Sequence, residues 1–556
     1  MPLTNREQIV VTAPKRTFSA LPRIVQLFDS NNATVNSPVK IMRLATRLND
    51  APSGMKITAR METGIRVPDY DVIVVGAGNA ALAASVSARN AGAQRVLVLE
   101  KAPEEMRGGN THYSGGLLRI AFDNVEEILQ LVPKARELEG FVEGVEAYPR
   151  DAFWSDLRRM TSNRTDPALA EILISNSFAT ACWMVDQGIR FEPAISLGAV
   201  RVGNLIKWPK GAIVRAVHEG VGLSRMWFAA AQRKGVEIRY ASPAIRLAQD
   251  SRGRVTGVIA RDASGVHELS ANAVVLGCGG FEANVAWRAQ YLGRPWDHAK
   301  VRGTPHNQAD GLRMALEIGG MPWGQWSGCH ATPINAEAPA FGDRQLTDKT
   351  NRLSYPYGLM LNRLGQRFVD EGEDQALFTY AKFGGIILNQ PGGVAYQIFD
   401  AKVRHLLEPR YATSEPVTAA SLDDLMSKLD LDREAAIRTL DEYNLGAGHG
   451  SFNPGDRDGM TTSGLTPPKS NWAQKLDTPP YLAWPVTGGI TFSFGGLKVN
   501  DRAQVVGTDW NPIPGLYTCG EMVGGLFHHN YPGGSGLMSG AVFGRIAGAN
   551  AAGDRG

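Results

Sequence analysis

Residues 69–102 read DYDVIVVGAGNAALAASVSARNAGAQRVLVLEKA, and no other stretch restricts the fold as strongly. A β-branched run at Val72–Val75 gives way to a glycine turn, an alanine-rich helical segment and a second apolar run that ends at Glu100. The spacing Gly76-x-Gly78-x-x-Ala81 falls between strand and helix, where a dinucleotide-binding βαβ unit requires it. Gly76 permits the tight turn, Gly78 lets the backbone approach a pyrophosphate, and Ala81 lets the helix pack closely on the strand. The helix start then offers unpaired N–H groups to phosphate oxygens. Glu100 is placed to accept hydrogen bonds from a ribose diol.

The following segment, KAPEEMRGGNTHYSGGLLR, selects the cofactor. A nicotinamide-binding fold would continue here into another α/β repeat. A loop rich in glycine and hydroxyl groups instead suits a backbone wrapped along a flavin and its ribityl chain. Farther on, VEIRYASPAIRLAQDSRGRVTGVIARDASGVHELSANAVVLGCGGFEAN predicts an antiparallel meander returning to a core strand that ends at Gly279-Gly280. The C-terminal stretches IPGLYTCGEMVGG and NYPGGSGLMSGAVFGRIAG again read strand, glycine turn, helix. The turn at Gly533–Gly536 would aim a second helix N-terminus at the flavin ring, where its partial positive charge stabilises an anionic reduced form. The 62 glycines show no G-X-Y period and gather at these turns. The predicted fold class is α/β, with Rossmann-like nucleotide-binding halves at both ends of the chain and an insertion between them.

Composition narrows the remaining classes. Lys plus Arg exceed Asp plus Glu by only three, too little for a dedicated nucleic-acid binder. Cys182, Cys278, Cys329 and Cys519 lie far apart with no C-x-x-C spacing, which argues against metal ribbons, dithiol redox motifs and attached haem and for a reduced, cytoplasmic setting. The apolar runs Val72–Val75 and Ala80–Ala88 fall short of the roughly 18 residues that span a bilayer, so no stable membrane insertion is expected. Residues 1–66 are basic and acid-poor. They read as an arm on the body or on a second subunit, with an organelle transit peptide as the alternative.

From GAGNAALAA with Glu100, GGNTHYSGG, LGCGGFEAN, HNQADGLRMA, GLMLNRLGQRFVDE, TFSFGGLKVN and IPGLYTCGEMVGG, the chain resembles the fumarate reductase/succinate dehydrogenase flavoprotein family over about residues 67–556. Within it, SGCHATPINAEAP, RFVDEGEDQALFTYAKFGG, PPKSNWAQKLDTPP and HHNYPGGSGLMSGAVFGR look most like tricarballylate dehydrogenases. The resemblance implies a discontinuous Rossmann-like FAD-binding domain carrying an inserted α+β capping domain: an N-terminal extension (1–66), a first FAD-binding part (67–332), a mobile cap (333–485) and a second FAD-binding part (486–556). It implies cofactor contacts from Gly76, Gly78, Ala80, Ala81, Glu100 and Lys101, and from Gly108, Gly109, Asn110, Thr111, Ser114, Gly115 and Gly116. Ala244, Gly279, Gly280, Asp310, Glu521, Gly534, Ser535, Gly536 and Leu537 complete the set. Some relatives attach FAD through a histidine in the glycine loop. Aligning Gly115-Gly116 puts Gly109 rather than His112 at that point, so FAD is expected to be non-covalent.

The chain departs from fumarate reductases where they clamp and protonate a dicarboxylate. The family's histidine falls at Thr491 or Phe492, its clamping arginine at Tyr531, its proton-donor arginine at Gln375, and its relay acid and arginine near Asn351 and Ser354. Neutral side chains donate hydrogen bonds without a full charge, which disfavours plain fumarate chemistry. Tyr531 in NYPGG also resembles the carbonyl-polarising tyrosine of 3-ketosteroid dehydrogenases. Tyr355 and Tyr357 are the candidates for a second, proton-accepting tyrosine, and His330 matches the family's cap-hinge histidine that touches substrate. The acids Asp370, Glu371, Glu373 and Asp374 read as a solvated loop or an arginine-neutralised surface. The expected reaction is α,β-dehydrogenation of a carboxylate or carbonyl compound, or its reversal, with tricarballylate-like polyacids leading. A proton would leave to a tyrosine or to water held by His330. The partners are a small-molecule substrate and a separate electron acceptor or donor. Arg119, Arg404, Lys382, His528 and His529 are the cations available to replace the lost clamp. A larger neutral enone, or a flavin electron-transfer subunit without its own substrate, are the alternatives.

Overall fold

In the computed structural model, residues 8–10, 58–60 and 68–554 are described. Gln8–Val10 and Thr58–Arg60 form a short antiparallel pair with Gln8 opposite Arg60. The rest of the basic N-terminal stretch lies outside the described residues. A second unit begins at Pro68.

That unit opens with strand β1 (Tyr70–Val75), helix α1 (Asn79–Asn90) and strand β2 (Val96–Leu99). Helix α2 (Pro167–Asp186) and strands β3 (Glu237–Arg239), β4 (Ala244–Gln249), β5 (Val255–Asp262) and β6 (Gly265–Leu276) follow. The parallel sheet runs β3, β2, β1, β6 and then the C-terminal strand Pro512–Thr518. Strand β6 does double duty. Its first half pairs antiparallel with β5, which pairs with β4, and its second half enters the parallel sheet between β1 and Pro512–Thr518. The predicted meander therefore hands the chain straight back to the nucleotide sheet.

Both faces of β1 are buried, which explains its unbroken apolar run. Val72 and Val74 face one core, while Ile73 and Val75 face the core under the meander. Beyond β6 lie α3 (Asp310–Glu317), β7 (Pro322–Asn335), α4 (Ala376–Leu388), β8 (Val394–Phe399), β9 (Tyr481–Leu497) and α5 (Ser535–Ala552). The alanines of α1 meet a glycine stripe on α5. A Cβ at Gly544 would lie 2.4 Å from the Ala80 carbonyl oxygen, and one at Gly548 would lie 2.0 Å from that of Ala84. Small residues four apart on each helix thus let the two backbones touch.

The second sheet is built on β9, which pairs antiparallel with β7 and β8 and parallel with the short strand Lys300–Val301. Strands β7 and β9 each run through a boundary expected for the inserted cap, so the inserted segment and the cofactor-binding parts share a sheet. Helix α4 lies on this sheet at backbone distance. A Cβ at Gly384 would fall 2.5 Å from the Ala331 carbonyl carbon, and one at Gly488 would fall 2.4 Å from the Gly384 oxygen. Tyr380, one turn before Gly384, shares its helix face.

Helix α2, 20 residues long, is apolar and long enough by composition to cross a bilayer, a stretch the sequence reading passed over. In the fold its Leu169, Leu173, Ile174, Ala181 and Met184 are buried in the protein core. Asp166 caps its start by accepting from the Ala168 and Leu169 amides at 3.0 and 3.4 Å.

Replacing Gly384 by Ala should lift α4 from β7. The expected cost is about 1–3 kcal/mol, read as a lowered melting temperature, as for other overpacked contacts. An unchanged melt would show that the sheet yields freely at this point.

Candidate functional site

The glycine turns and the second sheet line a shared cleft. At one end, Gly76 adopts φ +101°, and a Cβ there would sit 2.5 Å from the Gly277 oxygen, so the turn admits only glycine. Helices α1 and α5 both begin on a glycine, Gly78 and Gly534, which carries no capping side chain of its own. Thr111 takes the first amide of α1, and the remaining free amides of the two helix starts, both bordering one cleft, make an anion cradle. Glu100, 7% exposed, borders it as well and accepts from the Ala102 amide at 2.7 Å. Burial raises its carboxyl above the ordinary value, partly offset by these backbone amides.

Most of the sequence-predicted cofactor set lines this cleft. Gly76, Gly78, Ala80, Glu100 and Lys101 come from the βαβ unit, and Gly109, Asn110, Thr111, Ser114, Gly115 and Gly116 from the following loop. Ala244, Gly279, Asp310, Glu521, Gly534, Gly536 and Leu537 supply the remaining walls. Lys101 pairs with Asp310 at 2.6 Å, and Thr111 Oγ1 accepts from the Asn79 amide at 2.8 Å. Four predicted residues stand one layer back. Ala81 is fully buried where α1 meets Gly277, and Gly108 packs under Ser224. Gly280 abuts the Glu521 carboxyl, and the Ser535 hydroxyl turns to the Pro532 carbonyl. These glycine and small-residue contacts govern how closely the backbone elements approach.

Behind the floor, Glu282 and Glu521 form a buried carboxyl pair. Glu282 Oε1 accepts from Asn110 and Asn307 at 2.6 and 2.5 Å, and Glu521 Oε1 accepts from the Ser493 amide and hydroxyl at 2.7 and 3.0 Å. Burial raises both carboxyls, and for Glu521 the neighbouring Glu282 raises it further. Sequence reading found Glu521 but not its partner, because GGFEAN carries no sign of what the fold sets beside it.

At the other end stands an aromatic cluster. The hydroxyls of Tyr380 and Tyr531 share a short hydrogen bond, and both residues line the cleft. The His330 ring centroid lies 4.8 Å from that of Tyr380, 5.0 Å from that of Tyr531 and 5.2 Å from that of Phe492, on which it stacks. His330 is fully buried behind these rings, and neither ring nitrogen has a hydrogen-bond partner. Burial, reinforced by the Arg302 charge, holds its imidazole well below the ordinary value and therefore neutral. Burial likewise raises the Tyr380 phenol to about 12 and the Tyr531 phenol well above its ordinary value. Both phenols are hydrogen-bond donors at neutral pH, not bases.

Local structure explains this meeting. The Asn530 side chain donates to the Phe378 carbonyl at 2.7 Å and the Gly533 amide to that of Leu377 at 2.9 Å, stitching the 530–534 turn to the start of α4. The pairing of β7 with β9 slips between His330 opposite Phe492 and Ala331 opposite Ile490, leaving Thr491 as an unpaired extra residue. Thr491 lines the cleft, accepts from Arg302 Nε at 3.0 Å through its hydroxyl, and accepts from Asn110 at 2.7 Å through its carbonyl.

Other expectations for the site are redistributed. Tyr355 is buried away from the cleft, its hydroxyl on Thr379 Oγ1 at 2.6 Å, and Tyr357 donates to the Pro454 carbonyl at 3.0 Å. The second tyrosine at Tyr531 is Tyr380, which sequence spacing did not single out. Arg119 is buried behind the C-terminal turn, donating to the Gly533 carbonyl at 2.8 Å. Lys382 pairs with Glu373 at 2.7 Å, Arg404 is exposed, and none of these three lines the cleft. Burial, with His529 and Arg164 adding, lowers His528 to about 4, so it carries no charge at neutral pH. Gln375 Nε2 reaches the Gly455 carbonyl at 3.3 Å, outside the cleft. Glu371 is buried and paired with Arg367. Arg302, Asp348 and Arg410, unremarked in the sequence, do line the cleft.

Two outcomes follow from this geometry. Glu100→Gln should weaken FAD retention at least about tenfold, measured as visible flavin absorbance after dialysis; full retention would remove Glu100 from the site. Folding depresses His528 and His330, so the unfolded chain binds more protons below about pH 6.5 and stability falls as pH drops. His528→Gln should recover up to about 2 kcal/mol of that loss near pH 5 in thermal melts. Identical pH slopes in variant and parent would contradict the assignment.

Comparison with known proteins agrees with the cradle. Residues 71–537 match the FAD binding domain family. The chain is 28% identical over 487 residues to fumarate reductase (cytochrome) of Shewanella frigidimarina, covering 87% of this chain and 77% of that one. It is 26% identical over 566 residues to 4-oxocyclohexanecarboxylate 2-dehydrogenase of Sinomonas cyclohexanicum, covering 87% and 93% respectively. The 3-ketosteroid Δ1-dehydrogenase of Sterolibacterium denitrificans shares the fold with a TM-score of 0.66 at 20% identity, over 87% of this chain and all of that one. With a cleft built for a dinucleotide and a family match spanning most of its length, this chain belongs to the FAD binding domain family and is an FAD-dependent oxidoreductase.

Proposed function

We propose that the protein removes, or in reverse adds, two hydrogens across a carbon–carbon bond next to a carbonyl or carboxylate group. FAD, held by the two helix starts, Glu100 and the 109–116 loop, supplies a two-electron acceptor or donor of hydride. The observation that carries the reading is the Tyr531–Tyr380 hydroxyl pair in the cleft, where fumarate reductases place an arginine. Tyr380 donates to Tyr531, and Tyr531 donates to the substrate oxygen. Stabilising the negative charge that develops there acidifies the adjacent C–H bond, whose proton would pass to water in the cleft while the neighbouring carbon gives up its hydride to bound FAD. Both phenols keep their protons because burial disfavours phenolate. His330 acts behind them as a positioning residue, a neutral ring wedged between Tyr380, Tyr531 and Phe492.

The relatives support this class, since fumarate and 4-oxocyclohexanecarboxylate each carry the reacting carbon–carbon bond beside a carbonyl or carboxyl carbon. The electrons reach or leave the flavin through a separate partner. The direct test is anaerobic mixing of the FAD-loaded enzyme with tricarballylate, succinate, 4-oxocyclohexanecarboxylate and a 3-ketosteroid, with flavin bleaching as the signal. Bleaching by at least one is expected. Tyr531→Phe should retain FAD and slow bleaching by about 10²–10³-fold, the usual loss for one oxyanion donor. A Tyr531→Phe enzyme as fast as its parent would overturn the role given to the phenol pair.

A further inference from the structure

The cleft carries a charged group that neither the cofactor nor the phenol pair uses. Arg302 donates from Nη1 to Asp348 Oδ1 at 2.8 Å and to the Tyr113 carbonyl at 3.1 Å. Arg410 approaches the other oxygen of the same carboxylate, Nη2 to Oδ2 at 3.1 Å. Asn351 donates to Asp348 Oδ1 at 2.7 Å. One carboxylate thus spaces two guanidiniums, all three side chains under a tenth exposed and all bordering the cleft. Among the described residues, Arg302 Nη2 and Arg410 Nη1 find no hydrogen-bond acceptor, although a buried guanidinium ordinarily uses its donors. Glu408 and Glu219 also act on Arg410; Glu408 Oε2 lies 3.7 Å from Nε and accepts no hydrogen bond among the described residues, and burial raises its carboxyl above the ordinary value. Asp348 thus holds one edge of each guanidinium and leaves the other edge to a ligand.

The opposite requirement holds at the phenol end. Tyr531 and Tyr380 offer hydrogen bonds and no charge, and Phe492 and Phe527 complete an apolar wall. A carboxylate buried there would compete with Asp348 for Arg302, the cation whose charge reaches both phenols, whereas a ketone oxygen would be satisfied by one phenol. We propose that Arg302 and Arg410, spaced by Asp348, anchor one substrate carboxylate while Tyr531 receives an uncharged carbonyl oxygen, so the site takes an oxo-monocarboxylate rather than a di- or tricarboxylate. This rests on the dehydrogenase reading above and adds the charge count and orientation of its substrate.

The test uses FAD-loaded enzyme and four probes: 4-oxocyclohexanecarboxylate, cyclohexanone, succinate and tricarballylate. Affinity is read from flavin spectral changes, and turnover from dye reduction. The keto acid should bind at least about 30-fold more tightly than cyclohexanone, and both polyacids should bind more weakly than the keto acid. Arg302→Gln and Arg410→Gln should each bring the keto acid down toward cyclohexanone while moving cyclohexanone itself by less than about threefold. Asp348→Asn, which leaves two guanidiniums uncompensated, should raise succinate affinity at least about tenfold relative to the keto acid, a gain that damage to the fold would not produce. Tighter binding of tricarballylate or succinate than of the keto acid by the parent enzyme would overturn the proposal. So would equal losses for keto acid and cyclohexanone in the arginine variants. If a polyacid or a neutral ketone is turned over and the arginine variants discriminate nothing, the anchor fails and the dehydrogenase reading stands. If no probe perturbs or reduces the flavin, both fall.

Discussion

The molecule hangs on one unbroken strand. From Tyr481 to Leu497 the backbone hydrogen-bonds to β7, β8 and two shorter strands, so it belongs at once to the inserted sheet and to the wall of the cofactor cleft. A strand paired on both sides cannot shift without breaking its ladders, and those ladders position everything else at the reaction end. Phe492 and Thr491 come from it directly. His330 comes from the strand paired with it, and Tyr380 comes from the helix that Gly384 and Gly488 allow to rest on it.

The cleft separates its charges by length. Its dinucleotide end is governed by helix starts and by a buried carboxyl pair, while its far end sets paired arginines beside protonated phenols. Low-dielectric surroundings make each of these choices consequential, since an unmatched charge there costs on the order of several kcal/mol. Neutral tyrosine and histidine side by side with an ion triad therefore amount to a selection rule on ligand charge.

The cofactor half was legible in the sequence because its chemistry is local. Gly76, Gly78, Glu100 and the 108–116 loop announce themselves by spacing within a few dozen residues, and the meander announces itself by alternating pattern and turns. The reaction half is assembled from residues far apart in the chain. Tyr380 and Tyr531 are 151 positions apart, and Arg302, Asp348 and Arg410 come from a bend and two separate 3₁₀ turns. By residue type alone nothing in the sequence sets Tyr380 above Tyr355 and Tyr357. The difference is the helical phase that turns Tyr380 onto the face bearing Gly384, which only packing against β7 makes meaningful. Helix α2 shows the same limit from the other side, since its apolar composition fits a bilayer as well as it fits the core that actually receives it.

The slip in the ladder at Thr491 bears on how such a site changes over evolutionary time. Sequence comparison could not choose between Thr491 and Phe492 for one family position, because the extra residue belongs to neither register. Removing one residue here would exchange the faces of everything on one side of the slip, withdrawing the contact to Arg302 and rotating a different side chain toward the reacting carbon. A family whose members differ in substrate can thus be diversified by single insertions and deletions in one strand, with the βαβ unit and its Glu100 left untouched.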